Sequence, residues 1–271
     1  MSTQLDNLGF GTQWTELSVD RYEGYRPQMN DYHTHDYYEI SLILSGDVKV
    51  LLPDTVHHGT ESRLLLTPPQ TPHLVLCRPS RLYKRINLLF SREFLTEALP
   101  EWRQLLAAFG KQGRILPLES AQCEAFYALA CELERETDRL RQRLLLMLLL
   151  SHAGELSADG AAAEALPAYI NGALSWVQEH YAERLVAEEL AHRLGVGRTT
   201  LMTAFRRYTG TTLGDYITGC RLKHAVALLR DGATEQETAE VCGFGDACNM
   251  IRCFRRKFGV TPVQYLKEKR A

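Results

Sequence analysis

The segment TEQETAEVCGFGDACNMIRCFRRKFGVTP, from Thr234 to Pro262, decides the fold of the C-terminal half of the chain. Its residue pattern predicts a helix over 235–241, a turn at Gly243 and Phe244, and a second helix over 247–258. Two helices joined by a short turn that contains glycine form a helix-turn-helix, whose second helix enters the major groove of DNA. The segment therefore indicates a DNA-binding unit.

The same unit occurs a second time upstream. The segment LVAEELAHRLGVGRTTLMTAFRRYTG, from Leu185 to Gly210, predicts helices over 186–194 and 198–208 around a Gly195-Val196 turn. It ends in FRRYTG where the later copy ends in FRRKFG. Residues 212–232 between the copies predict one long helix of fixed length. Two such second helices on a rigid connector can enter successive major grooves, about 34 Å apart.

Residues 170–269 closely resemble the DNA-binding domain of the AraC/XylS family of bacterial transcription regulators. The most specific part of the resemblance is GF-x-D-x7-F-R-R-K-F-G-V-T-P-x-x-Y, from Gly243 to Tyr265. The resemblance implies that the second helix of each unit contacts base edges through Thr199, Met202, Thr203, Ala247, Cys248, Ile251 and Arg252. It implies backbone contacts from Arg198, Arg206, Arg207, Arg255, Arg256 and Lys257.

These two sets of side chains differ in what they can recognise. Arg252 can form the bidentate contact with guanine that discriminates strongly between bases. The residues Thr199, Met202 and Thr203 include no such group, so the first helix is expected to recognise thymine methyl groups and DNA shape, or mainly to position the protein.

The N-terminal half contains HTHDYYEISLILSG, from His33 to Gly46, followed by PPQTPH ending at His73. Residues two apart in a strand point to the same face, so His33 and His35 converge, and Glu39 and His73 can join them only if the sheet closes. Three imidazoles and a carboxylate suit Zn, Ni, Fe or Mn. The four residues are therefore a candidate divalent metal site, although no cofactor is required by the rest of the sequence.

This motif resembles the first motif of the cupin superfamily, which implies a small β-barrel with a central pocket. We expect the pocket to bind a small polar effector, with a sugar weakly favoured, through hydrogen-bonding and stacking groups. Its predicted lining is His33, His35, Glu39, His73, Tyr37, Arg85 and Asn87, with Tyr32 and Tyr38 as further candidates. The adjacent His57 and His58 favour a solvated loop over a metal site.

The chain is predicted to be an α+β protein of two domains. Short runs such as EISLILSG, RLLLTPP and YKRINLLF predict the cupin-like β-barrel over 1–118, and helical periodicity predicts a hairpin over 119–153 that forms a dimer contact. An Ala-, Gly- and Ser-rich linker follows over 154–168. The all-α double helix-turn-helix domain occupies 169–271, giving a homodimeric regulator.

Composition sets the remaining expectations. The 271 residues carry 31 Lys+Arg and 33 Asp+Glu, and the seven cysteines include no CxxC pair, which argues against disulfide frameworks and thiolate zinc sites. The longest apolar run, 144–150, is far shorter than the roughly 20 residues of a membrane span, so no membrane association is expected. Residues 167–271 are basic, with 15 Lys+Arg against 11 Asp+Glu.

The sequence thus predicts a bacterial transcriptional activator that is cytoplasmic and nucleoid-associated, is not an enzyme, and is controlled by an effector. Its expected partners are double-stranded DNA, a small-molecule effector and RNA polymerase. Two alternatives stay open at this point. One is a metal-dependent cupin enzyme fused to a DNA-binding domain, and the other is a constitutive DNA-binding dimer with a vestigial pocket.

Overall fold

The computed structural model describes residues 16–25, 32–96, 102–157 and 163–270. They form two compact units, the first ending at Leu166 and the second beginning at Pro167. Among the described residues no helix has both the length and the apolar character that crossing a membrane requires.

The first unit is built from β-strands followed by helices. The strands are β1 (Leu17–Gly24), β2 (Tyr38–Ser45), β3 (Asp47–Leu51), β4 (Thr55–Gly59), β5 (Arg63–Thr67), β6 (Leu74–Arg78), β7 (Tyr83–Phe90), β8 (Arg114–Pro117) and β9 (Ala163–Ala165). The helices are α1 (Arg92–Thr96), α2 (Trp102–Leu106), α3 (Ser120–Arg135) and α4 (Arg139–Glu155). The predicted strand runs and the helical hairpin are therefore present.

The strands form two antiparallel sheets, of order β1-β7-β2-β5-β8 and β6-β3-β4-β9. Because side chains alternate along each strand, the five-stranded sheet has one apolar and one mixed face. The apolar face, with Ile40, Leu88 and Phe90, packs against α1, α2, α3 and α4 in one large core. Each such fully buried side chain contributes about 1.5–3 kcal/mol of hydrophobic stabilisation. The inner face meets the smaller sheet through a second core that includes Val50, Leu65 and Tyr83.

Two segments differ from the sequence-based expectation. Part of the predicted linker is β9, which pairs with β4, and the Leu166 amide donates to the Asp54 carbonyl at 2.9 Å. The edge of β4 offers unpaired main-chain groups, and such an edge can be covered by any extended segment whatever its side chains. His57 and His58 also lie in β4 rather than in a loop, with His57 buried and His58 exposed.

Over 167–270 the described chain forms seven helices. They are α5 (Ala168–His180), α6 (Ala187–Arg193), α7 (Arg198–Thr209), α8 (Leu213–Arg230), α9 (Glu235–Val241), α10 (Ala247–Phe258) and α11 (Pro262–Arg270). The pairs α6–α7 and α9–α10 are the two helix-turn-helix units, and α8 packs against members of both. The second helix of each unit, α7 or α10, is called its recognition helix. Each ends at a glycine with left-handed backbone conformation, Gly210 or Gly259, whose amide donates to the carbonyl four residues earlier. The predicted duplication and long connecting helix are thus confirmed.

Candidate functional site

The predicted DNA-contacting residues lie on the solvent side of α7 and α10. Thr199, Thr203, Cys248 and Arg252 are exposed, whereas Met202, Ala247 and Ile251 are partly exposed. The side chains predicted to contact the DNA backbone are all exposed as well. They are Arg198, Arg206, Arg207, Arg255, Arg256 and Lys257. In each helix the opposite side is buried, with Leu201 and Phe205 in α7 and Met250 and Phe254 in α10. Each unit therefore offers one free helix face, and that face carries the predicted contacts.

Some of the cations on this surface have acidic neighbours. Arg198 Nε lies 3.1 Å from Glu188 Oε1, and Arg256 Nη2 lies 4.0 Å from Asp215 Oδ1. Exposed pairs of this kind contribute little to stability, with a typical value of about 0–1 kcal/mol. A phosphate can therefore replace either carboxylate at small cost.

The start of α10 is more constrained than the start of α7. The Asp246 carboxylate accepts from the Asn249 amide at 2.8 Å, which caps the helix, whereas Gly197 at the start of α7 has no side chain to do so. An Asp N-cap is worth only a few tenths of a kcal/mol more than Gly. The difference therefore bears more on local order at the DNA surface than on the stability of the unit.

Asn249 also holds Arg252, a role that the sequence analysis missed. Its Nδ2 donates to the Phe244 carbonyl in the turn at 2.9 Å, and its Oδ1 accepts from Arg252 Nη2 at 2.9 Å. The turn is thereby linked to the guanidinium through one amide side chain. The spacing of three residues within a helix was the available signal, because such positions are neighbours on the helix surface.

The predicted quartet in the first unit comes together at one end of the inner face. His33 and His73 are joined by two main-chain hydrogen bonds of 3.0 Å, which place their rings side by side. Glu39 Oε2 lies 3.0 Å from His35 Nε2 and 3.4 Å from His73 Nε2. One potential ligand atom from each of the four residues lies within 4.8 Å of the others.

The main chain fixes the orientation of two of the imidazoles. Nδ1 of His35 donates to the Tyr37 carbonyl at 2.9 Å, and Nδ1 of His73 donates to the Thr71 carbonyl at 3.0 Å. Both Nε2 atoms therefore face the carboxylate. Burial alone would raise the pKa of Glu39, but the hydrogen bonds and charges of His35 and His73 hold that pKa well below its usual range.

The rest of the predicted pocket divides between the two faces of the sheet. Asn87 Nδ2 donates to Glu39 Oε1 at 2.8 Å, and Ser41 Oγ lies 2.9 Å from the same oxygen. The Tyr37 ring stacks on His35 with centroids 3.9 Å apart. Tyr38 does not belong to the pocket, because it points to the outer face.

Position along the strands explains these placements. Tyr38 stacks on Phe90 in the outer core, one residue from the inward-facing Glu39. Asn87 pairs across from Ser41 in the register of β2 and β7, so its side chain shares their inner face. Arg85, two residues earlier on β7, faces the same way and is 12% exposed. Asn87 and Arg85 thus join the quartet on one surface.

Comparisons with known proteins agree with the division of the chain into two units. Residues 16–153 match a family model described as an AraC-like ligand binding domain, and residues 190–268 match one described as a helix-turn-helix domain. The HTH-type transcriptional activator RhaS of Citrobacter koseri is 26% identical over 246 residues, which cover 85% of each chain. RhaS of Salmonella schwarzengrund is 34% identical over 96 residues, covering 35% of this chain and 34% of that relative.

Among solved structures, ToxT from Vibrio cholerae aligns over 93% of this chain and 98% of its own, with 14% identity and a TM-score of 0.40. The first match covers strands β1 to β8 and nearly all of the helical hairpin, and the second match runs from within α6 through the second helix-turn-helix unit. The chain therefore belongs to the AraC-like family of transcription regulators, in which a ligand-binding domain precedes a helix-turn-helix DNA-binding domain.

Proposed function

We propose that the protein activates transcription when a small molecule binds between its two sheets. The recognition helices α7 and α10 contact the promoter through the residues described above, and the activated complex engages RNA polymerase in the cytoplasm. The activator role is supported by the similar RhaS proteins, which are named transcriptional activators. The same similarity favours a regulator over an enzyme.

The buried polar cluster around Glu39 carries the effector part of this proposal. Glu39, His35, His73, Ser41 and Asn87 are all buried, and all lie on the inner face of the first unit. Burying a polar group costs free energy unless it is hydrogen-bonded. Replacing a buried charged network with apolar side chains of similar volume often leaves the stability of a fold unchanged or raises it. A ligand-binding role explains why a folding unit with an apolar outer core keeps a charged network inside.

The exposed leucines of α4 support a homodimer. Leu140, Leu144 and Leu148 recur every four residues and are 61%, 55% and 45% exposed, so they form one apolar stripe. A second copy of α4 packed antiparallel about Leu144 would bury both stripes.

Sedimentation analysis of the full chain tests the dimer. Leu144→Glu is expected to shift the protein towards monomer, because the buried charge would have no partner. Val263→Glu is the matched control, since Val263 is 50% exposed but lies outside the stripe. A wild-type monomer, or a dimer unaffected by Leu144→Glu, would contradict this interface.

We also propose that the effector site holds a divalent metal ion. The quartet of His33, His35, Glu39 and His73 fits such an ion. Ligating histidines characteristically donate their other ring N–H to a carbonyl, as His35 and His73 do here. With a cation present, both imidazoles can be neutral while their Nε2 atoms face Glu39. The metal would supply a Lewis-acidic contact for an oxygen of the effector.

Elemental analysis of the purified protein tests the metal. We expect a divalent ion at close to one per chain in the wild type, and its loss in His35→Ala. His58→Ala is the matched control, because His58 is an exposed histidine of β4. Metal at background level in the wild type, together with an unchanged effector response in His35→Ala, would reject the site.

The regulator proposal is tested by measuring affinity for a selected DNA site with and without a protein-free small-molecule extract of bacterial cells. We expect the extract to change the affinity of the wild type and to have less effect on Glu39→Gln. Affinity unchanged by the extract would instead support a constitutive DNA-binding dimer. Consumption of a component of the extract in the presence of Fe(II), Mn(II) or Ni(II) would support an enzyme.

A further inference from the structure

The inner face of β7 carries a second polar group beyond the Glu39 cluster. On β7, Arg85 lies two positions before Asn87, and Tyr83 lies two positions before Arg85. All three side chains therefore share the inner face. Burial raises the pKa of the Cys77 thiol on β6 to about 12, and the Arg85 charge acts against this rise. Arg85 thus lies near Cys77 of the opposite sheet.

This part of the interior has hydrogen-bond donors without acceptors. The Tyr83 phenol lies beside the Arg85 guanidinium, yet neither Tyr83 Oη nor Arg85 Nε has a hydrogen-bond partner at normal length and angle. Both atoms are buried, and Tyr83 is only 1% exposed. An unsatisfied buried polar group costs about 1–3 kcal/mol, and more if it is charged. Such groups call for a partner that the protein itself does not provide.

The nearest acidic side chain does not satisfy these donors. Asp20 of β1 lies with its Oδ2 4.0 Å from Arg85 Nη2, which balances charge without forming a hydrogen bond. Glu39 is engaged elsewhere, because its Oε1 accepts from Asn87 and its Oε2 faces His35 and His73. The Glu39 carboxylate is therefore in use, while the Arg85 and Tyr83 donors remain.

We infer that the effector carries a carboxylate or an equivalent anionic group, which accepts hydrogen bonds from Arg85 Nε and Tyr83 Oη. A carboxylate is acceptor-only, whereas every hydroxyl of a neutral sugar brings a donor that needs an acceptor in return. Charge-assisted bonds from arginine to a carboxylate are also about twice as strong as neutral ones. A divalent ion in the quartet would add positive charge and strengthen this preference. The effector is an organic acid rather than the neutral sugar that the sequence weakly favoured.

This inference rests on the proposed effector site, and it is tested with acetate as the smallest carboxylate and acetamide as its neutral isostere. The measurement is the Nε–Hε spectrum of the arginines in the ¹⁵N-labelled full-length protein. The Arg85 signal is identified as the one missing from Arg85→Lys. Arg21→Lys is the matched control, because Arg21 lies on the outer face of the sheet, away from Arg85, and pairs with Glu134.

We expect the Arg85 signal to shift and saturate with acetate and to stay in place with acetamide, while the Arg21 signal responds to neither. Tyr83→Phe removes only the phenol and preserves the ring in the core, so it should weaken acetate binding about fivefold, equivalent to one hydrogen bond. An Arg85 signal that ignores acetate, or that responds equally to acetamide, would overturn the inference.

The outcome is independent of the regulator proposal. DNA affinity is measured separately, so a protein whose Arg85 binds acetate but whose DNA affinity ignores every extract would keep the anionic site and lose effector control. A protein whose DNA affinity responds to an extract while Arg85 ignores acetate would keep effector control and lose the anionic site.

Discussion

The two helix-turn-helix units have the same framework but offer different chemistry to DNA. Phe205 and Phe254, 49 residues apart, are both fully buried, and the glycines that end α7 and α10 make the same hydrogen bond. On the exposed faces, however, Thr203 of α7 stands where α10 has Arg252. Core positions repeat because the same packing must form twice, whereas exposed positions are free to specialise. We propose that α10 discriminates between bases and that α7 mainly positions the protein.

The largest expected effect concerns the turn glycines. Gly195 and Gly243 both have positive φ, but a Cβ at Gly243 would collide with the main chain of Ala182, whereas Gly195 faces open space. Left-handed backbone costs about 1–2 kcal/mol for a residue with a side chain. For Gly243→Ala the collision adds about 1–3 kcal/mol.

Chemical denaturation of the full chain measures this difference. We expect Gly243→Ala to lower the free energy of unfolding of the second unit by about 2–5 kcal/mol and Gly195→Ala by about 1–2 kcal/mol. Equal losses in the two variants would show that the contact with Ala182 does not constrain the second turn.

Base discrimination should depend on Arg252 far more than on its counterpart. Arg252→Ala is expected to remove about 1–3 kcal/mol of discrimination at one base pair, because a bidentate contact with guanine is lost. Thr203→Ala is the matched control and should change discrimination by much less. Competition binding against DNA sites altered one base pair at a time gives both values. Identical sequence profiles for the wild type and Arg252→Ala would refute the assignment.

Asn249 should act through Arg252. Asn249→Ala leaves the guanidinium without its positioning acceptor, so we expect part of the same discrimination to be lost at the same base pair. In a double-mutant cycle, Asn249→Ala and Arg252→Ala should couple by about 1 kcal/mol. The corresponding pair in α7, Thr200→Ala and Thr203→Ala, should be additive. Additive effects in α10 would mean that Asn249 serves only to stabilise the turn.

The smallest expected effects on DNA binding come from the residues that contact the DNA backbone. Arg207 and Arg256 occupy equivalent positions and both are exposed. Replacing either with alanine should weaken binding to all sequences alike and reduce the slope of log affinity against log salt by about one unit. Salt titrations on a selected and a random duplex measure this. A change in sequence preference for either variant would show that the residue contacts bases.

Much of this fold could be predicted because its signals are local. The alternation in EISLILSG and the repeated FRR endings fix strands and helices without knowledge of distant partners. β9 was missed because its three residues, AEA, are all exposed and have no apolar pattern. Its formation depends on the free edge of β4, which is far away in sequence.

Most members of the candidate pocket could be predicted, but Ser41 and Tyr83 were missed, Tyr38 was included wrongly, and the geometry could not be predicted. The spacing of His33, His35 and Glu39 indicated convergence on one face, but the inward direction of Arg85 depends on the register of β7 against β2. The missing acceptor for Arg85 is likewise a property of the folded interior. The link from Asn249 to Arg252 requires the Phe244 carbonyl, which only the closed turn brings within reach.

Selection of bound sequences from a random duplex pool, with the full-length protein at two salt concentrations, tests the central claim most directly. We predict an enriched motif of two elements about one helical turn apart, in which the element bound by α10 is sharply defined and the element bound by α7 is weakly defined. The sharp element should persist at the higher salt concentration. Binding that is only salt-sensitive and independent of sequence, or a motif sharper at the α7 element, would contradict the account.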